Sequence, residues 1–312
     1  MARTIVIGDL HGCLVEAQEL VQKVGYRPEE DFLVFTGDLV DRGPFPVESV
    51  RWVMGLRGQG RRVECLRGNH EQKVVEFCEK EARAAAGGPK NGMERPFPKR
   101  FAEWTAFTQN ELMWMATRPL WLDLGGGWLA VHAGFEPKPL SEQKEDRVTR
   151  IRWVHETTGD FVPMKHVPVL DDPDLIVKSH SVPDPARANS PEAVAKREAR
   201  MKERLAKGLP PVVEQRRRPK RYTTTFEQPD HSKSWREAWP GPQNVIYGHD
   251  AQKGEPRREH NAHGATLVGI DTGCCFGHTL TAAVFIDGSL KDYVSVDAKE
   301  VYYKWPEADT SE

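Results

Sequence analysis

GDLHGC, residues 8–13, follows directly on the apolar run Ile5-Val6-Ile7. Three β-branched residues in a row read as a buried strand. That strand ends in a carboxylate, Asp9, and an imidazole, His11, with Gly8 and Gly12 around them and nothing apolar left to bury. Glycine lets a chain turn without a Cβ clash, so the two polar side chains are displayed at the strand exit. The pattern then recurs. DFLVFT (31–36) runs into GDLVDRGP (37–44), and RVECL (62–66) into RGNHE (67–71). The Trp128 strand runs into VHAG (131–134), and VIY (245–247) into GHD (248–250). Five times an apolar run ends and Asp, His or Asn appears beside Gly.

The segments between the early exits have helical spacing, at 14–24, 47–56, 70–86 and 101–116. Strands alternating with helices give βαβ units around a buried sheet, an α/β fold. In open α/β sheets the loops at the carboxyl ends of the strands gather at one edge, where ligands bind. Asp9, His11, Asp38, Asn69, His132 and His249 are therefore expected to converge, although far apart in the chain. Carboxylate, imidazole and amide oxygen suit divalent ions of intermediate hardness such as Mn, Fe, Zn or Co. Six such ligands exceed one four-coordinate site and fit two ions sharing a bridging carboxylate.

The later part of the chain reads differently. A hairpin is expected at 120–124 and 128–131 around Gly125-Gly126-Gly127, and further strands at 245–247, 266–270, 280–286 and 292–296. Arg150 and Arg152, two apart on an expected strand, would share one face; two guanidinium groups there suit a polyphosphate chain, while an exposed edge strand would carry the same charges. Residues 181–240 are polar and Pro-rich, and 87–98 form a Gly-Pro loop. Within the former, SPEAVAKREARMKERLAKG (190–208) carries a helix start, with Ser190 as cap and Pro191 at the first position. RRRPKR (216–221) reads either as a solvated loop or as a polyanion contact. Trp235 and Trp239 either stack a base or pack in the core. The tail 307–312 is expected to fray.

The chain has 312 residues, 38% hydrophobic, enough for a sizeable core. Its 44 basic and 46 acidic residues leave a formal charge of −2. No global field steers it to nucleic acid or to an anionic membrane, so a bound anion must meet a local site. Neither an obligate nucleic-acid partner nor a membrane is expected, and the oligomeric state cannot be read. The five cysteines fit no zinc finger or redox pair, which favours a reduced, cytoplasmic setting. The first strand begins too early to leave room for a signal peptide, and no apolar run approaches the roughly 20 residues that span a bilayer.

Taken together, GDLHG, GDLVDRG, RGNHE, VHAG and YGHD resemble the calcineurin-like metallophosphoesterase superfamily, in its phosphoprotein-phosphatase branch. GIDTGCCFGHTLTAA (269–283) and TRIRWV (149–154) resemble signatures of the symmetrical bis(5'-nucleosyl)-tetraphosphatases and ApaH-like phosphatases, with His278 in place of the family's usual Gly. The resemblance implies two central mixed β-sheets flanked by helices, a four-layer αββα sandwich. It implies one catalytic domain over 1–312, with insertions at about 181–240 and 87–100. Asp9 and His11 would hold one divalent ion, Asn69, His132 and His249 a second, and Asp38 would bridge them. Mn is the expected metal, with Fe, Zn, Co or Mg as alternatives. His70 would donate a proton to the leaving oxygen. Asp41 would orient His70 and keep it charged, and Arg42 would clamp the phosphoryl group. Asn69, Arg150 and Arg152 would also contact substrate. The expected reaction is hydrolysis of diadenosine tetraphosphate to two ADP. A protein phosphatase, or a polyphosphate or capped-RNA hydrolase, is the alternative. A binding module that lost its chemistry would show a broken ligand set, and here every expected ligand is present.

Overall fold

The computed structural model describes residues 3–87, 98–164, 166–168, 222–224 and 228–304. In chain order the elements begin β1 (Arg3–Ile7), α1 (Leu14–Lys23), β2 (Phe32–Phe35), α2 (Pro46–Gly58), β3 (Val63–Cys65) and α3 (Asn69–Ala85). Then come α4 (Pro98–Thr105), α5 (Gln109–Ala116), β4 (Trp121–Gly125), β5 (Trp128–Val131), α6 (Glu145–Val148), β6 (Trp153–His155) and β7 (Phe161–Val162). β8 (His166–Pro168) and β9 (Tyr222–Thr224) precede β10 (Ser232–Ser234) and α7 (Trp235–Ala238). The chain closes with β11 (Asn244–Tyr247), β12 (Arg257–His260), β13 (Thr266–Gly269), β14 (Thr279–Ile286) and β15 (Ser289–Asp297).

Two compact units result, residues 1–163 with 228–312, and residues 164–227. The second contains β8 and β9, an antiparallel pair. The first is built on two five-stranded mixed sheets. One has the order β15-β14-β1-β2-β3, with β1, β2 and β3 parallel. The other has the order β12-β13-β11-β5-β4, with β5, β11 and β13 parallel. A small sheet, β10-β6-β7, lies in the same unit.

The period-two alternation of these strands sorts their side chains into layers. Val6, Val34, Ala283 and Phe285 of the first sheet pack with Trp128, Ala130, Ile246 and Val268 of the second, making the core between the sheets. The alternate residues Ile5, Ile7, Leu33 and Phe35 face the other way, against Ala17 and Leu20 of α1 and Val50 and Val53 of α2. On the far side of the second sheet, Leu129, Val131, Val245 and Tyr247 pack with Val148 of α6, Trp235 of α7 and Trp239. The unit is thus the expected four-layer sandwich. Strands buried on both faces must be apolar throughout, which is why the sequence shows unbroken runs such as IVI and FLVF.

Two local expectations change, and one open choice closes. The single helix expected at 101–116 is two, α4 and α5. Thr108 breaks it as an N-cap: its hydroxyl accepts the Glu111 N–H and the Glu111 carboxylate accepts the Thr108 N–H, at 3.3 and 2.7 Å, the reciprocal T-x-x-E box. The strand expected to carry Arg150 and Arg152 is absent; residues 149–150 form a turn after α6, and β6 starts only at Trp153. Trp235 and Trp239 are 1% and 2% exposed and belong to the core. The expected helix at 190–208, the basic run 216–221 and the tail 307–312 lie outside the described residues, as does nearly all of the 87–98 loop.

The Trp128 and Phe285 rings meet edge to face between the sheets, with centroids 5.2 Å apart. Phe285→Ala should cost about 3–5 kcal/mol, through lost apolar burial and a cavity that neither sheet can close. Urea unfolding followed by circular dichroism checks this; a loss under about 1 kcal/mol would show that Phe285 is not part of the inter-sheet core.

Candidate metal centre

The exits of β1, β2, β3, β5 and β11 meet at one edge of the two sheets. The backbone there is unusual. His11, Asp38, Asp41, Arg42 and His249 have φ of 46, 51, 68, 70 and 64°, five of the seven described non-glycine residues with positive φ. Each such residue costs about 1–3 kcal/mol unless its surroundings over-determine it. Those surroundings are visible. The buried Glu71 carboxylate accepts the N–H groups of Asp38 (2.8 Å), Leu39 (2.7 Å), Val40 (3.3 Å) and Gly68 (2.9 Å). The loop after β1 is stitched to the loop after β2, His11 N–H donating to Asp38 O at 2.7 Å and Gly12 N–H to Leu39 O at 2.9 Å.

Asp38 occupies the middle. Its Oδ2 lies 3.5 Å from His11 Nε2 and its Oδ1 3.5 Å from His132 Nε2. Asn69 Oδ1 lies 3.1 Å from His132 Nε2 and 2.9 Å from His249 Nδ1. Asp9 accepts from Thr36 Oγ1 at 2.8 Å and from the His249 N–H at 2.9 Å, which ties the first sheet's exit to the second's. Both carboxylates lie against a glycine: a Cβ on Gly248 would stand 1.9 Å from Asp9 Oδ1, and one on Gly68 2.1 Å from Asp38 Oδ1. All six residues expected to converge do so.

The imidazoles are held ready to donate lone pairs. His11 Nδ1 faces Val40 O and His132 Nδ1 faces Thr36 O, each at 2.9 Å. A carbonyl can only accept, so the proton sits on Nδ1 and the Nε2 lone pair points into the cluster. Burial and the neighbouring Arg42 push His11 well below its ordinary pKa, burial with Arg152 does so for His249, and burial lowers His132. Neutral imidazole is the ligating form. Acidic groups crowd the same volume. Burial, Asp271 and Asp38 raise the Asp9 carboxyl well above the usual range, and burial takes Asp271 up to about 6 against the pull of Arg42. The donor atoms form two groups sharing one residue, His11–Asp38–His70 and Asp38–His132–His249, each group's atoms within 4.8 Å of one another. Oxygen and imidazole donors with excess carboxylate, arranged about a shared Asp38, fit two divalent ions.

His70 Nδ1 meets Asp41 Oδ2 at 2.5 Å, and Asp41 Oδ1 accepts from Trp104 Nε1 at 2.7 Å. The expected aiming of His70 by Asp41 is there. Burial lowers the imidazole's pKa, with Asp38 and Asp41 pulling the other way. Arg42 reaches His11 Nε2 at 2.8 Å and His70 Nε2 at 3.4 Å. Arg152 donates to His249 Nε2 and O, at 2.8 and 2.9 Å, and to Asp250 at 3.3 Å, whereas the exposed Arg150 donates to Gln72. Only Arg152 of the pair touches a member of the ligand cluster.

Sequence reasoning gave no role to Glu71, Asp271 or Trp104. Asp271 was findable: β13 is a sixth apolar strand whose exit, Asp-Thr-Gly, repeats the pattern of the other five. Each Glu71 oxygen accepts two N–H groups, and an amide has one oxygen to offer. Glu71→Gln should therefore turn an NH2 against two donors and cost about 2–3 kcal/mol. Urea midpoints check this, and an unchanged midpoint would mean that the loop is held by other contacts.

Residues 2–282 match the calcineurin-like phosphoesterase family. A symmetrical bis(5'-nucleosyl)-tetraphosphatase of Methylococcus capsulatus is 29% identical over 291 residues, covering 92% of each chain. An asymmetrical bis(5'-nucleosyl)-tetraphosphatase of Bacillus subtilis is 28% identical over 291 residues, 90% of this chain and 89% of that one. A crystal structure described as a diadenosine tetraphosphatase shares the fold, with a TM-score of 0.58 at 22% identity over 98% of this chain and 95% of that one. With its metal-ligand donors gathered at the strand exits of a two-sheet sandwich, and with the family match running through nearly all of it, this chain is a member of the calcineurin-like phosphoesterases.

Proposed function

We propose that this metal-dependent hydrolase cleaves dinucleoside polyphosphates, diadenosine tetraphosphate to two ADP, at a centre of two divalent ions bridged by Asp38. The observation that carries the reading is the shared place of Asp38 in two donor groups. The substrate class follows the full-length relatives named as bis(5'-nucleosyl)-tetraphosphatases. Symmetrical cleavage follows the signature-like stretches at 149–154 and 269–283.

Asp9 and His11 would hold one ion, and Asn69, His132 and His249 the other. When bound, such a pair supplies positive charge to phosphoryl oxygens and a water activated at neutral pH. The protein's own groups do the rest. Arg42, planar and always charged, clamps the phosphoryl oxygens. Asn69 and Arg152, both in contact with His249, take further oxygens, and Arg150 lies outward of them. An arriving polyphosphate adds negative charge beside His70 and raises the imidazole's proton affinity. Asp41 and Trp104 keep the ring aimed while it passes that proton to the leaving oxygen. Mn is the proposed metal; the donor set also accepts Fe, Zn, Co or Mg, and availability decides between them.

The catalytic domain is proposed to span 1–312, with the segments near 87–100 and 181–240 inserted into it. All five cysteines are free, which fits a reducing compartment such as the cytoplasm. No helix among the described residues is long and apolar enough to cross a membrane.

With Mn, diadenosine tetraphosphate should give ADP as sole product on chromatography. AMP with ATP would replace symmetrical by asymmetrical cleavage, and a preference for phosphopeptides by orders of magnitude would replace the substrate class. Asp38→Asn should reduce turnover to background at saturating Mn while circular dichroism stays native. A wild-type rate in that variant removes the bridging role.

A further inference from the structure

Five large hydrophobic side chains are exposed among the described residues: Val15, Phe45, Met113, Val301 and Tyr303. One of them, Tyr303, contacts Arg42. Phe45 lies three residues beyond it, in the loop that enters α2. Val301 and Tyr303 lie in the segment after β15, where the Tyr303 N–H donates to Cys275 O at 2.8 Å and fixes that segment to the 271–277 loop. The Arg42 guanidinium carbon is 5.1 Å from the Phe276 ring centroid and 5.9 Å from that of Tyr303. The two rings meet edge to face, 6.1 Å apart. Phe276 is buried and backs the guanidinium, whereas Tyr303 is 43% exposed. The same guanidinium reaches His11 and His70. One flat cation thus links the phosphate-handling cluster to an exposed aromatic ring.

We infer that Tyr303 is the nucleobase-stacking residue of the substrate site, taking the adenine of the nucleotide whose phosphates Arg42 clamps. This rests on the reading of the substrate as a dinucleoside polyphosphate. A phosphate chain at Arg42 brings its base within a few bonds, and a base is a flat, largely apolar ring that needs a flat, accessible partner. Trp235 and Trp239 cannot serve, because both are buried on the far side of the second sheet. Tyr303 is the exposed ring that Arg42 contacts among the described residues. Stacking reads a π-face rather than hydrogen-bonding edges, so the site should favour nucleotides over bare polyphosphate without strict choice of base.

The test is calorimetric binding of ADP and of pyrophosphate to the Mn-loaded protein, as wild type, Tyr303→Ala and Tyr303→Phe. Wild type should bind ADP more tightly than pyrophosphate. Tyr303→Ala should weaken ADP about tenfold or more, the worth of one base–aromatic stack, and leave pyrophosphate unchanged. Tyr303→Phe should keep wild-type affinity for both. Equal loss for the two ligands, or no loss for ADP, overturns the assignment. Binding is read without turnover, so the two readings fail separately. ADP held through Tyr303 with diadenosine tetraphosphate left intact would sink only the substrate reading. Rapid tetraphosphate cleavage with ADP binding indifferent to Tyr303 would sink only the stacking residue.

Discussion

Four backbone N–H groups, those of Asp38, Leu39, Val40 and Gly68, converge on the buried carboxylate of Glu71. Burial and Asp38 push the Glu71 carboxyl up to about 8, while these N–H groups pull it back. They act between two strand exits, since three of the donors follow β2 while Gly68 and Glu71 follow β3. Asp38 is thereby held in a left-handed conformation that its own side chain disfavours. From that fixed backbone its two oxygens face His11 on one side and His132 on the other. Had the loop relaxed, the two donor groups would lose the residue they share.

The same logic extends to the junction between the sheets. β1 and β11 belong to different sheets, yet Asp9 accepts the His249 N–H, and the second sheet's His132 faces the carbonyl of Thr36 on the first. These contacts require the exits of both sheets to coincide, and the inter-sheet core of Val6, Val34, Ala130 and Ile246 makes them do so. A shift of either sheet would part Asp9, His11, Asp38 and Asn69 of the first sheet's exits from His132 and His249 of the second's. Packing between the sheets is therefore also the positioning device of the site, and rigid elements position ligands more closely than loops alone could.

Much of this was legible in the sequence, because it depended on local signals. Apolar runs with Gly-flanked polar exits located five strands and all six converging side chains. βαβ alternation pointed to an α/β fold, and the layer order followed from the family resemblance. What escaped was nonlocal or overridden. The helix expected at 101–116 keeps its apolar spacing, but the Thr108–Glu111 box stops it, a signal present in the residues and outweighed by periodicity. Arg150 and Arg152 alternate as a strand would, yet α6 carries its turn to Arg150 and only Arg152 reaches the cluster. Trp235 and Trp239 could not be assigned from a polar neighbourhood, since their partners Tyr247 and Phe135 come from other parts of the chain. Glu71 looked like one acid among several on α3; its role lies in the loop amides, which no side-chain pattern reports.

Charge explains why such a strained arrangement persists. Asp9, Asp38 and Asp271 are nearly fully buried together, and each buried carboxylate costs several kcal/mol in lost hydration unless it is compensated. Arg42 and Arg152 supply two positive charges at the edges of the cluster, one against His11 and one against His249. Two divalent ions would bring far more charge to its centre than any rearrangement of side chains could. Ions that bind the native state and not the unfolded chain stabilise it by mass action, in the same place where the positive-φ residues destabilise it. Strain, buried acid and donor geometry would thus have one common resolution, with bound cations serving the fold's stability and its chemistry together.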